Sequence, residues 1–348
     1  PAPQHWRVQA EVSNTLAGPI DTQRLPVNTL NIDADWRDGL AVVRQLQAKL
    51  ADGELHTVGQ WRQPPATSET GSLASPAGQS AASTAQPSGS IEPKTNKNGR
   101  QTPNTATPSN LGEWQLNTEL SGINPQAIHS QLDAFPLDGT VQAKGQNTLI
   151  GFDAKLTARP QRALTRGQPA STLQALALRE LQAQGEWTGS LLKLDQLLLK
   201  TADAQVQGSG EFDPSAQGGA AKLDLSLPGA SAKLDGALRQ DTGQGQLNAH
   251  MSSLPQLQAW LARLPGMPDS VRQAQAQGTA ELKLGWRGGW AKPQLDLALN
   301  APSLRWLPGG QPESAALGAK QLQLALQGGL DQATLRLTGQ ALHGERVA

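Results

Sequence analysis

The chain has no cysteine and no tyrosine, and only three phenylalanines and two methionines among 348 residues. Without cysteine there are no disulfides and no thiolate metal ligands, and cytosol and periplasm suit the chain equally. The shortage of rings leaves Leu and Ala to supply most of any core. Such a core is thin, because aromatic side chains bring the largest buried area per residue. Excess charge is missing too: 29 basic residues balance 29 acidic ones, so nothing here favours nucleic acid or an anionic membrane as partner. No run of about 18 apolar residues occurs, which excludes a helix that spans a bilayer.

The constellations that carry chemistry are also missing. His5, His56, His129, His250 and His343 are scattered with no HxxxH or HxH pair, which disfavours zinc. There is no G-x-S-x-G elbow and no phosphate-binding G-x-x-x-x-G-K-[ST] loop. Gly208-Ser209-Gly210 and Gly243-Gln244-Gly245 lack the third glycine and the βαβ context of a dinucleotide fingerprint, and read as turns at strand ends. Asp133 and Asp138 read as solvated turn residues. The expectation is of a protein that is not an enzyme and needs no cofactor.

What the chain has is alternation. Ala280, Leu282, Leu284 and Trp286 fall on every second position with Glu281 and Lys283 between them. After Arg287-Gly288-Gly289-Trp290 and Pro293, Leu295, Leu297 and Leu299 resume the pattern against Gln294 and Asp296. Side chains on a strand point to opposite faces with period 2, so these are two strands with one apolar and one wet face. The same pattern places strands at Trp6–Val12, Leu30–Ala34, Leu55–Trp61, Trp114–Leu120, Val141–Ala143, Phe152–Leu156, Leu191–Leu199, Leu223–Leu227, Leu322–Leu326 and Leu335–Leu337. Leu40–Leu50 suits a short helix or a strand. Its strand neighbours and the Asp52-Gly53 turn favour strand, with Leu40, Val42, Leu46, Ala48 and Leu50 on one face.

Helix is scarce. Leu254, Leu257, Leu261 and Leu264 recur at helical spacing behind Ser253 and Pro255, and Pro265-Gly266 ends the run, which predicts one amphipathic helix over Leu254–Leu264 lying on the apolar face. Asn124–Ile128 suits a single helical turn. Between residues 64 and 110 the only large apolar residues are Leu73 and Ile91, so this stretch reads as a disordered insertion. The expected organisation is sheet over 1–63, insertion over 64–110 and sheet over 111–348. Leu137-Asp-Gly139, Leu234-Asp-Gly236 and Leu326-Gln-Gly328 echo one another at irregular spacing, which argues for a meander over a fixed-period repeat. Trp6, Trp61, Trp114, Trp187, Trp286, Trp290 and Trp306 sit mostly at strand ends or beside glycine. They read either as plugs over exposed backbone or as the rim of an amphipathic groove.

The block Leu254–Leu307, and within it Gly288, Trp290, Pro293, Leu295, Leu297, Leu299, Ala301 and Leu304, resembles the repeat region of the TamB family and its AsmA-like relatives. Gly185-Glu186-Trp187 with the leucine-rich strands after it, and Asn28–Trp61, are similar. The polar insertion departs from that pattern. The resemblance implies an all-β fold: an elongated, curled antiparallel sheet forming a trough with an apolar inner face. It implies a periplasmic segment of a protein anchored in the inner membrane. Such a segment binds phospholipid acyl chains for transport to the outer membrane and supports outer-membrane protein assembly, with a TamA-type barrel engaged through flanking regions. On this reading the chain, which opens at Pro1 and stops at Ala348 in mid-pattern, is an internal fragment. The trough floor would be Leu223, Leu225, Leu282, Leu284, Leu295, Leu297, Leu299, Leu322 and Leu324. About twenty strands at ~4.8 Å would give a length on the order of 100 Å. The competing expectations are a structural or adhesive β-solenoid with a closed, ligand-free core, and an enzyme on a β scaffold.

Overall fold

The structure, a computed structural model, describes residues 5–50, 53–64, 112–132, 134–159, 176–264, 266–309, 316–329 and 331–343. They form one 17-stranded antiparallel sheet. In the first part the strands are β1 (His5–Ser13), β2 (Thr29–Arg37), β3 (Leu40–Leu50), β4 (Gly53–Arg62), β5 (Glu113–Ile123), β6 (Leu137–Gln146), β7 (Leu149–Ala158), β8 (Glu180–Trp187) and β9 (Leu192–Lys200). The second part comprises β10 (Gln205–Asp213), β11 (Gly218–Leu227), β12 (Ala230–Leu238), β13 (Gly243–Met251), β14 (Gln275–Arg287), β15 (Gln294–Leu307), β16 (Leu317–Gly329) and β17 (Ala333–His343). Each strand pairs with the one before and the one after it in the chain. The sheet is therefore a plain meander and is not closed into a barrel. At ~4.8 Å per strand it spans roughly 75–80 Å across the strands, shorter than the strand count read from sequence implied. The antiparallel pairing overturns the solenoid expectation, and so does burial: among the described residues no large side chain is fully buried.

Turn chemistry explains the reversals. Asp38 (φ 48°) and Gly39 (φ 81°) join β2 to β3 with two positive-φ residues, the tight turn whose twist matches paired strands. Pro228-Gly229, with Gly229 at φ 73°, joins β11 to β12 as a Pro-Gly turn should. β4 pairs directly with β5 from Glu54↔Ser121 to Arg62↔Glu113, so the sheet is continuous on either side of the polar stretch. Apart from Pro64, that stretch lies outside the described residues, as do Asp52, Asp133, Leu330 and most of the polar loop after Arg159.

Bulges correct the sequence reading at two strands. In β3 the pairing shifts between Val43 and Leu46, so Ala41 and Val43 share a face with Leu46, Ala48 and Leu50. Leu40 and Val42 are on the wet face, opposite Arg62 and Gln60. Arg44, released by the bulge, pairs with Asp35. In β9, Gly185↔Leu194 is followed by Gln184↔Gln196, which makes Asp195 the extra residue and brings Leu192, Leu194, Leu197 and Leu199 onto one face. An inserted residue shifts the period-2 phase by one, which is what each of these sequences requires.

Connections differ sharply at the two ends of the strands. One end carries short turns, apart from the departure of the chain at Pro64. The other carries the long connections: residues 14–28 with a 3-10 turn at Ile20–Thr22, residues 124–136 with a helical turn at Pro125–Ile128, and residues 252–274. The Asn124 side chain accepts from Gln126 N at 3.1 Å and caps that turn. The one longer helix runs Leu254–Leu261, with hydrogen-bonded turns continuing to Leu264, so it is shorter than its leucine spacing suggested. It packs against β14 and buries Trp260, whose Nε1 donates to Asp203 Oδ1 at 3.1 Å.

Candidate functional site: an apolar face in three unbroken rows

Following the pairing strand by strand gives rows of directly opposed residues across the whole sheet. One row runs Val12, Leu30, Ala48, Leu55, Leu120, Gly139, Leu156, Leu181 and Leu199. It continues through Val206, Leu225, Ala232, Ala249, Leu282, Leu299, Leu324 and Leu337. The next row, two residues along each strand, runs from Ala10 and Ile32 to Leu326 and Leu335. It holds seven consecutive leucines, Leu223, Leu234, Leu247, Leu284, Leu297, Leu326 and Leu335, on β11 to β17. A third row contains Val8, Val43, Leu116, Phe152, Leu194, Trp286 and Leu295 with Gly and Ala between them. None of the three rows carries an ionisable side chain on any of the 17 strands. Their two polar side chains, Thr57 and Thr118, face each other and share a 2.9 Å hydrogen bond, so neither hydroxyl is left to interrupt the surface.

All nine leucines expected on the floor lie on this face. Leu225, Leu282, Leu299 and Leu324 are on the first row, Leu223, Leu284 and Leu297 on the second, and Leu295 on the third. Leu322 stands one step beyond the first row, opposite Ala301. All nine are half-buried. On the edge strand β17, with a neighbour on one side only, Leu335 and Leu337 are 60% and 61% exposed. Cross-strand neighbours thus supply much of the cover that the inner leucines have. The sequence reading placed strands through most of the first half but named floor residues only on β11, β14, β15 and β16, and it missed β13 altogether. There the face is carried by Gly243, Gly245, Leu247, Ala249 and Met251. The alternation against Gln244, Gln246, Asn248 and His250 is strict, but its apolar members are mostly small.

Those small residues leave room for a large one. A Cβ on Gly245 would stand 2.2 Å from the Trp286 ring, and one on Gly236 would stand 2.6 Å from it. Trp286 therefore lies across two neighbouring strands, and its Nε1 donates to the Ala237 carbonyl at 3.1 Å. The two glycine pairs read from sequence as turns are in strands: Gly208-Ser209-Gly210 in β10 and Gly243-Gln244-Gly245 in β13.

The opposite face is wet. Lys222 stands opposite Asp235 and Lys233 opposite Asp224, each pair 3.5 Å apart. Glu180 lies below its ordinary range chiefly because Lys200, opposite it at 2.8 Å, hydrogen-bonds the carboxylate. Lys283 and Asp296 are exposed on this face. Among the described residues, no three His, Asp or Glu side chains are grouped to hold a metal ion.

The two ends of the apolar face are finished differently. At the end with long connections, Ala48, Leu50 and Ile123 are buried with Val27 and Ile128 packed on them, and Phe135, Leu137 and Leu178 form a second cluster. Asp138 holds this end together. It is in β6, not in a turn, and it accepts from Gly122 N at 2.8 Å and from Arg159 Nη2 at 2.6 Å. The Arg159 hydrogen bonds come first in holding its carboxyl below the usual range. At the other end stands a row of tryptophans. Trp6, Trp36, Trp61, Trp114 and Trp187 lie on one line across β1 to β8, with Ala41, Gly145 and Ile150 between them. Trp36 stacks on Trp6 at 5.9 Å and on Trp61 at 5.6 Å. A Cβ on Gly145 would be 2.3 Å from the Trp114 indole, so that ring lies flat over the next strand.

Three rows by 17 strands amount to a face on the order of 1,000–1,500 Å² at strand and residue spacings, well above the ~300–600 Å² of the largest apolar patch on a typical monomer. Its side chains offer contact area and no acid, base or nucleophile. No protein-family model, no curated protein and no solved structure matches this chain.

Proposed function

We propose that this sheet is a segment of a lipid-conducting groove in a TamB- or AsmA-like protein of the cell envelope. Phospholipid acyl chains would lie on the apolar rows as they move between the inner and outer membranes. The observation that carries this reading is the continuity of those rows: apolar from β1 to β17, half exposed, and without a second sheet over them among the described residues. A surface of that size requires apolar cover, and a mobile chain supplies it without fixing side chains one by one. The work is binding and transfer, with no catalysis. The periplasm is the compartment that fits such a conduit. Inner-membrane anchoring and engagement of a TamA-type outer-membrane barrel, with the support of outer-membrane protein assembly, fall to flanking regions of the full-length protein.

Native mass spectrometry of the purified protein, followed by solvent extraction, tests this directly. Phospholipid masses that co-purify and are released by extraction are expected. A chain that stays folded and monomeric yet carries no lipid, even after incubation with phospholipid vesicles, would contradict the reading.

A further inference from the structure

The two finished ends give the face a polarity across β1 to β8, and we propose that this part of it binds a phospholipid in one orientation: headgroup and glycerol at the tryptophan row, acyl chains toward the buried clusters. The inference rests on the lipid reading above and adds which way round the ligand lies. Indole is suited to a boundary that is apolar on one side and wet on the other, and tryptophans in membrane proteins gather at headgroup level. Five of the nine tryptophans stand on this one line, and Trp6 is 53% exposed. At the opposite end Phe135, Leu137 and Leu178 are buried in a packed cluster, which bounds the face with apolar surface and excludes a charged phosphate.

Length agrees. On β2 the tryptophan row and the first leucine row are marked by Trp36 and Leu30, with Ala34 and Ile32 between them on the same face. Six residues of strand cover about 20 Å. One leaflet, half of a bilayer about 40–45 Å thick with its headgroup regions, has nearly the same depth. A phospholipid laid along the strands would therefore place its interfacial region among the indoles and its chain ends at the first leucine row.

Because the chain lacks cysteine, single-cysteine labelling reads the orientation cleanly. Ile150 lies on the tryptophan row, opposite Trp187, and Ala154 lies two rows inward on the same strand. Ile150→Cys and Ala154→Cys, each carrying a bimane, are incubated with phosphatidylcholine bearing a nitroxide either on the headgroup or near the end of one acyl chain. The expected result is a crossover: the headgroup nitroxide quenches position 150 more than 154, and the chain-end nitroxide does the reverse. In the unsubstituted protein, intrinsic tryptophan emission is expected to fall more with the headgroup nitroxide. This second reading holds even if a labelled variant misfolds. Equal quenching at both positions, or the opposite order, overturns the orientation and leaves lipid binding standing. No quenching by either lipid in any protein overturns both.

Discussion

The same kinds of residue do different work at the two ends of these strands. Leu50, Ile123 and Leu137 at the end with long connections are nearly sealed, because loop side chains such as Val27, Ile128 and Phe135 fold over them. Leu284, Leu297 and Leu299, further along the same face, keep part of their surface open between their cross-strand neighbours. One set is a core in the ordinary sense, fixed by close packing. The other is a half-buried apolar surface. The difference lies in the connections, since both sets alternate with polar residues on regular strands.

Truncation should separate the two sets, and this is the largest effect expected. Ile123→Ala or Leu137→Ala leaves a cavity among packed neighbours and should cost about 3 kcal/mol in urea unfolding. Leu284→Ala or Leu297→Ala removes a side chain that is already partly in solvent, and should cost about 1 kcal/mol. Equal losses at the two places would erase the comparison. The helix tests the same boundary from the cover side. Leu257 is half-buried on the helix that packs against β14, so Leu257→Asp should destabilise by about 2 kcal/mol. A loss below about 0.5 kcal/mol would place that residue on an ordinary surface.

Much of this was legible in the sequence where leucine alternates with charge, as in Ala280–Trp286 and Leu295–Leu299. It was hard to read where glycine and alanine carry the face, as in Gly243–Met251, because small residues make a strict alternation weak in hydrophobic contrast. Bulges hid two further stretches: one extra residue at Arg44 or Asp195 reverses which residues share a face, and no local pattern marks the insertion. The tryptophan row was out of reach for another reason. Trp6 and Trp187 align only through the register of every strand between them, which is a property of the whole sheet and of no single segment.

Smaller effects sharpen the contrast. Asp138→Asn loosens the closed end by removing the charge that holds Arg159, at about 1 kcal/mol, the scale of a partly exposed ion pair with hydrogen bonds. The carboxyl's value is depressed in the folded state, so its contribution is full above the ordinary aspartate range and fades as pH falls through the depressed value. Urea midpoints of the native protein and Asp138→Asn should therefore differ at pH 7 and converge as the pH falls through the depressed carboxyl value, whereas a constant gap would assign the effect to shape. At the open end, Trp36→Leu gives up two stacked contacts and should cost about 0.5–1.5 kcal/mol beyond its area. On the wet face, Lys222→Ala breaks an exposed cross-strand pair and should change stability by less than about 0.5 kcal/mol.

The central claim, that the leucine rows meet lipid, is tested most directly by photo-crosslinking in the presence of phospholipid. A photoreactive residue is placed in turn at Leu284 and Leu297 on the apolar rows and at Lys283 and Asp296 on the wet face, one position away along the same strands. Phospholipid adducts are expected at Leu284 and Leu297 and none at Lys283 or Asp296. Equal labelling of the two faces, or no adduct on either, would contradict it.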